Sequence, residues 1–304
     1  MTTDLPLLSN PRSERVRSVR SLGRRAVRER QRKFVVEGPQ AVRELLQYAA
    51  PAALDLYLTH PAAARHTDIV ALAEDLASGG DGGPGPGPGR GDGGLRVRLC
   101  TDEVLAAMTD TPHPQGMIAV ATPTDVPLAE ALAAVSRAGS ANADKSGSTG
   151  ATASHPFVVV LTNVRDPGNA GTVLRAADAF GSAAVLVSDA SVDVYNPKVV
   201  RSTVGSLFHL PVSVGTPVPE LLAACRDAGL RLFAADGSGE TSLPDVDLSV
   251  PHAWVMGNEA WGLEPEVRDL CDEVVSIPIV RAESLNLAMA ATVCLHASAS
   301  AARS

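Results

Sequence analysis

Asn169 and Arg175, both in the stretch LTNVRDPGNAGTVLRAADAFG (161–181), are the first residues here whose types and spacing could do chemistry. An amide can fix the direction of a hydroxyl, and a guanidinium can meet a phosphate or a developing negative charge. Two later segments carry similar polar sequence: the glycine-bearing MGNEAWGL (256–263) with Glu259, and IPIVRAESLN (277–286) with Ser284 and Asn286. Each alone has an ordinary reading. Glycines near strand ends are common turn residues, Glu259 suits a helix start, and Ser284 suits an N-cap. Arg175 could pair with Asp178 at i+3 on a solvated helix face.

The elements that must position these residues are legible from periodicity. Residues 157–161 form an uninterrupted Val-rich run that suits a strand buried on both faces. Asp166-Pro167-Gly168-Asn169 breaks it, and Val173, Ala177 and Phe180 then recur at i, i+4 and i+7, which puts Arg175 roughly opposite the apolar face. Further apolar runs at 184–187, 231–235, 253–256 and 274–277 alternate with helical stretches near 170–180, 197–207, 218–228 and 264–270. Such alternation predicts a parallel sheet with helices on both faces. Ligands of such sheets bind beyond the carboxyl ends of the strands, so the three polar loops are expected to converge. The chain closes on a helix from about Ser284 with no charge before Arg303; it is expected to be enclosed by the core or by a second copy.

The chain has 304 residues, enough for two ordinary domains, and a net charge of −8. The charge is segregated. Between Arg12 and Lys33 stand ten basic residues against two acidic ones, a local +8 in an otherwise acidic chain, which suggests phosphate contacts confined to one arm. No run of eighteen apolar residues occurs, and MTTDLPLLSNPRSER lacks the apolar core of a secretory signal, so no membrane partner and a cytoplasmic location are expected. The four cysteines and seven histidines show no metal-ligand spacing, and no metal is expected.

Residues 1–125 read as a small α/β domain. It has a helix over Arg12–Arg32, strands at 34–36, 54–58, 95–99 and 116–121, and helices after the first, second and third strands. The Gly/Pro-rich stretch 79–94 cannot build a core and reads as a disordered insertion, while 126–154 reads as a flexible linker to a second domain over 155–304.

In this order and spacing, three motifs resemble those of the SpoU/TrmH family of RNA ribose 2′-O-methyltransferases, of the SPOUT class. Asn163, Arg165, Pro167-Gly168-Asn169, Gly171 and Arg175 carry the first. Gly257, Glu259 and Gly262 carry the second, and Ile277-Pro278 with Ser284-Leu285-Asn286 the third. NPKVVRSTVGSLFHLPV (196–212) is similar to the family's middle segment. FVVEG (34–38) and DTPHPQGMIAV (110–120) resemble the ends of a ribosomal-protein-like substrate-binding domain.

The resemblance implies a small N-terminal α/β RNA-binding domain joined to a knotted, parallel-sheet α/β methyltransferase domain that dimerises, the uncharged C-terminal helix being a candidate seam. It implies S-adenosylmethionine (SAM) as cofactor, with Gly257, Ile277 and Leu285 at the matching positions. It also implies Arg175 as the catalytic arginine, with Asn169, Glu259, Ser284 and Asn286 orienting the ribose and the loops. In the basic arm, Arg24, Arg25 and Arg28 are the expected RNA contacts. Ribosomal RNA is the expected substrate; transfer RNA, or a non-catalytic RNA-binding relative, is the alternative. A nucleotide-binding enzyme of another kind is disfavoured, since no GxxxxGK[ST] is present.

Overall fold

The structure, a computed structural model, describes residues 7–78, 94–145 and 155–301, with the side chains of 138–145 left undescribed. The expected insertion thus falls, but for Gly94, outside the described residues, as does the end of the expected linker. The chain divides into two compact units. One runs to Thr124 and takes in Tyr195–His209; the other comprises Asp125–Val194 and the chain from Leu210.

In chain order, the first unit holds α1 (Glu14–Ser21), α2 (Arg25–Gln31), β1 (Phe34–Glu37), α3 (Pro39–Tyr48) and β2 (Ala53–Thr59). It continues through α4 (His60–Arg65), α5 (Thr67–Ser78), β3 (Arg96–Cys100), α6 (Asp102–Met108) and β4 (Met117–Ala121). Its sheet has the order β1-β4-β2-β3, with β4 antiparallel to both neighbours and β2 parallel to β3. The arginine-rich segment is two helices rather than the single one expected. The break at Leu22–Arg24 is stitched by Arg28, which is 5% exposed and whose Nη1 donates to the carbonyls of Leu22 and Gly23 at 2.8 and 2.9 Å. Val16, Val19, Leu22 and Val27 form an apolar stripe along the two helices and join Tyr57, Ile118 and Val120 in one core.

The second unit begins with α7 (Leu128–Lys145), where a tether was expected. The overlooked signal is Leu128, Ala131, Leu132 and Val135 at i, i+3, i+4 and i+7; the last three are buried in the unit's core. Then follow in chain order β5 (Phe157–Leu161), α8 (Pro167–Phe180), β6 (Val185–Ser188), the first unit's α9 (Pro197–Thr203), β7 (Val212–Thr216), α10 (Val218–Asp227), β8 (Arg231–Ala235) and β9 (Thr241–Ser242). β10 (His252–Met256), α11 (Pro265–Asp269), β11 (Glu273–Ser276) and α12 (Leu287–Ala301) complete the chain. Seven strands in the order β7-β6-β5-β10-β8-β11-β9 make an all-parallel sheet. From β5 the chain winds outward through β6 and β7, then crosses back to β8 and inserts β10 beside β5. The order therefore reverses between β5 and β10, where an open parallel sheet leaves a crevice.

Helix α9 is not part of the second domain as expected. The excursion 195–209 packs in the first unit: the Phe34 ring lies 4.6 Å from Tyr195 and 6.5 Å from Phe208, and Arg201 pairs with Glu37 at 3.1 Å. Thr109 and Thr111 donate to the same Glu37 carboxylate at 2.7 and 2.9 Å. Gly205, at φ +103°, lets the excursion lie against Glu44, whose side chain a Cβ would strike.

Helix α12 is enclosed on one side only. Ser298 accepts from Trp254 Nε1 at 2.8 Å and meets His252 Nε2 at 2.7 Å, while Ala291, Cys294 and Leu295 are buried. Burial holds the His252 imidazole down to about 4, so at neutral pH it is an uncharged member of this network. Met289 and Val293 stand on the other side, 62% and 39% exposed.

Candidate active site

The loops after β5, β10 and β11 meet as the sequence predicts, and the geometry shows what joins them. Asp166 caps α8 by accepting the Asn169 N–H at 2.8 Å, Pro167 occupies the first turn, and Gly181 ends the helix at φ +78°. The Glu259 carboxylate reaches across from the second loop. Its Oε1 accepts the Asp166 N–H at 2.9 Å and Asn169 Nδ2 at 3.2 Å, and its Oε2 accepts the Arg165 N–H at 3.1 Å. From the third loop, Asn286 Nδ2 donates to Asn169 Oδ1 at 3.0 Å, and Asn286 Oδ1 caps α12 through the Ala288 N–H at 2.9 Å. One chain of polar contacts, Glu259–Asn169–Asn286, thus ties the three loops together.

The consequence for Glu259 is chemical. Burial alone would raise its pKa, but the donors from Asp166, Arg165 and Asn169 outweigh it and hold the carboxyl below its ordinary value. An ionised carboxylate whose oxygens are already committed to three donors fixes loops and is poorly placed to take a proton.

Beside these contacts, and sharing Glu259 with them, lies a cleft of about 240 Å³, lined by Gly257, Ile277, Ser284 and Leu285 together with Val275 and Glu283. All three predicted cofactor positions are therefore on its wall. Gly257 is dictated by the loop itself: a Cβ there would strike the backbone of Gly262, whose N–H and carbonyl pair with those of Asn258 at 3.0 and 2.8 Å. Apolar walls, backbone groups of a tight loop and the carboxylates of Asp236, Glu259 and Glu283 fit the adenosine and the positive sulfonium of SAM. Ser284 is exposed on this wall.

Arg175 is placed apart from the contact chain. It lies on the exposed face of α8, six residues beyond Asn169 or roughly 9 Å along the axis at 1.5 Å per residue. No hydrogen bond or ion pair to another described residue holds it, so the expected alternative, a pair with Asp178, is not what the structure contains. Residues missed by sequence reasoning also line the site. Asn258 Nδ2 donates to the Asn163 carbonyl at 2.8 Å. Asp236, after β8, accepts from Ser238 and lies 3.5 Å from Arg268. No local pattern marks the contacts with Asn163 and Arg268, because those partners lie far away in sequence.

The predicted RNA contacts fare unevenly. Arg24 is exposed, Arg25 is exposed and paired with Glu29 at 2.7 Å, and Arg28 is buried as the stitch between α1 and α2, which removes it from any RNA surface.

Comparison with known proteins fits this geometry. Residues 156–296 match the SpoU rRNA Methylase family, and residues 13–119 match the MRM3-like substrate binding domain. The first of these matches runs through the second unit's 156–194 and 210–296 and includes the excursion 195–209. The 23S rRNA (uridine(2479)-2′-O)-methyltransferase of Streptomyces viridochromogenes is 42% identical over 144 residues, 45% of this chain and 50% of that protein. The chain spans about half the length of the curated relatives it matches. The SpoU methyltransferase AviRb from Streptomyces viridochromogenes, in complex with the cofactor AdoMet, aligns at a TM-score of 0.69 with 27% identity, over 95% of this chain and 98% of that one. The AdoMet-bound rRNA methyltransferase from Sinorhizobium meliloti aligns at 0.75 with 24% identity, over 96% and 97%, a likeness of fold. The SpoU match places the first, second and third motif loops inside one family domain, and the fold match extends through both units.

Proposed function

We propose that this chain transfers a methyl group from SAM to a ribose 2′-hydroxyl of ribosomal RNA. The observation that carries the reading is the Glu259–Asn169–Asn286 chain, which ties the three motif loops together beside a cleft lined by the second and third of them and by the loop after β8. When bound, SAM supplies an electrophilic methyl group on its sulfonium; Gly257, Ile277 and Leu285 would hold it. In-line attack by a weakly nucleophilic hydroxyl needs alignment and relief of the negative charge that develops on oxygen. Asn169, Glu259 and Asn286 are positioning residues that keep the loops in one arrangement. Arg175, exposed and uncommitted, grips a phosphate beside the target ribose and stabilises the forming alkoxide. An arginine stays protonated at working pH, so it acts by charge and not as a base. Ser284 orients the ribose from the cleft wall.

The proposal extends to assembly and compartment. Exposed Met289 and Val293 on α12 support a homodimer whose seam is that helix. Four unbridged cysteines, with burial pushing their thiols up to about 12, support work in the reducing cytoplasm. Incubating the protein with tritiated SAM and unmodified large-subunit ribosomal RNA, then mapping alkali-resistant linkages, tests the activity. Label in one alkali-resistant position is expected. The same assay on unmodified transfer RNA is the control: label there alone, or in neither RNA, overturns the substrate or the activity.

A further inference from the structure

On one face of the first unit's sheet, Asp55 and Tyr57 of β2 stand in register with Arg96 and Arg98 of β3. With Arg15 of α1 and with Lys33 they line a cleft of about 620 Å³. The Asp55 carboxylate is buried, and Arg96 grips it bidentately at 2.8 and 2.7 Å. Arg15 and Arg98 also face it, but at 3.8 Å, beyond hydrogen-bonding distance. One carboxylate is therefore shared among three guanidinium groups, and only one is satisfied by it. Lys33 adds a fourth positive charge, and Glu14 at the rim a second negative one.

The Arg98 Nε atom is buried and has no hydrogen-bond partner, which is costly for a charged donor. An acceptor-rich anion entering the cleft would satisfy it together with Lys33 and the donors that Arg15 has left beyond its hydrogen bond to Tyr57. The opposite flank of α1 bears Arg17 and Arg20, which with Arg24 and the carboxylate of Asp110 line a second, smaller groove. Basic groups on both flanks of one helix suit a continuous polyanion; a small anion needs only one of the two depressions.

We infer that the cleft of Arg15, Lys33, Arg96 and Arg98 receives a backbone phosphate of the RNA substrate, and that the strand continues over α1 toward Arg17 and Arg20. The inference deepens the proposed function and rests on its RNA substrate. Its phosphate contacts locate the strand and carry no sequence information.

The test uses the full chain and in vitro transcribed large-subunit ribosomal RNA. Arg15→Ala with Lys33→Ala leaves the Arg96–Asp55 pair intact; Arg43→Ala with Arg65→Ala removes the same charge elsewhere in the unit. The first pair should weaken binding on the order of tenfold near 0.1 M salt and flatten the slope of log affinity against log salt by about 1 to 2, whereas the second should change neither appreciably. Equal slopes for the two doubles overturn the cleft assignment. So does a rise in the wild type's Tm with inorganic phosphate that the first double abolishes while its RNA slope is unchanged, since that describes a small-anion site. If the first double lowers Tm by more than a few degrees, Arg15→Gln alone carries the same comparison. Failure of the two ideas is separable. A cleft-dependent slope without methyl transfer sinks the proposed activity and keeps the cleft; transfer with equal slopes sinks the cleft and keeps the activity. A wild type that does not bind this RNA sinks both.

Discussion

The cleft of the second unit and the basic arm of the first both draw attention in the sequence through polar side chains, yet they reward that attention differently. In the cleft, Asn169, Glu259 and Asn286 contact one another as their motifs suggest, each satisfying a defined set of donors and acceptors. In the arm, neighbouring arginines of the same type meet three fates: Arg24 is exposed, Arg25 pairs with its helix neighbour Glu29, and Arg28 is buried as a clasp on two carbonyls. Amides and carboxylates at loop ends have short reach and few options, so their type and position constrain their partners. A guanidinium on a long, flexible stem can serve as core clasp, surface pair or phosphate contact, and charge alone does not distinguish these.

The largest expected effect sharpens the exception within the cleft. Arg175 belongs to the same motif as Asn169 but has no partner among the described residues, so Arg175→Ala should leave Tm and SAM affinity near wild type while single-turnover methyl transfer falls by roughly 10²–10³-fold, as for a lost oxyanion-type donor. Asp178→Ala should stay active. Equal, mild effects of the two substitutions would return Arg175 to the solvated surface.

A smaller effect should attend the loops that Glu259 ties. Glu259→Gln leaves one acceptor where three donors converge and should weaken SAM binding about three- to tenfold, near 1 kcal/mol. Because the folded state holds this carboxyl below its ordinary value of 4.5, its contribution to stability is full above that pH and fades as pH falls through the lowered value. Calorimetric titration with SAM at pH 7, and thermal melts of both proteins between pH 7 and 3, check the two statements; wild-type affinity in the variant would break the comparison on the cleft side.

The arm offers the counterpart. Arg28→Met leaves the Leu22 and Gly23 carbonyls without their guanidinium donor and should cost about 2 kcal/mol in chemical denaturation. The salt dependence of RNA binding should stay unchanged. A flattened slope at wild-type stability would restore Arg28 to the RNA surface and erase the contrast between the two regions.

Much of this protein was legible before any coordinates. Residues 157–161 and 231–235 emerge as strands with their predicted bounds, because runs apolar throughout suit strands covered on both faces. Convergence of the three loops followed from parallel-sheet topology. The helix α7 was hidden by a Ser/Gly/Ala-rich C-terminal half that masked the apolar stripe of its first turns. The break between α1 and α2 was hidden because its decisive bond is tertiary in kind, a side chain reaching back to carbonyls that helical periodicity does not mark.

What the amino-acid order determined by itself was local: which segments are apolar at period two or 3.6, where Pro, Gly and Asx residues stop them, and which polar types end up on loops. What only the tertiary structure decided was partnership. Asp236 with Arg268, Asn258 with the Asn163 carbonyl, the docking of 195–209 beside Phe34, and three guanidinium groups around Asp55 all join residues distant in sequence. Hydrogen bonds and ion pairs act over a few ångströms, and only the folded chain determines which groups come that close.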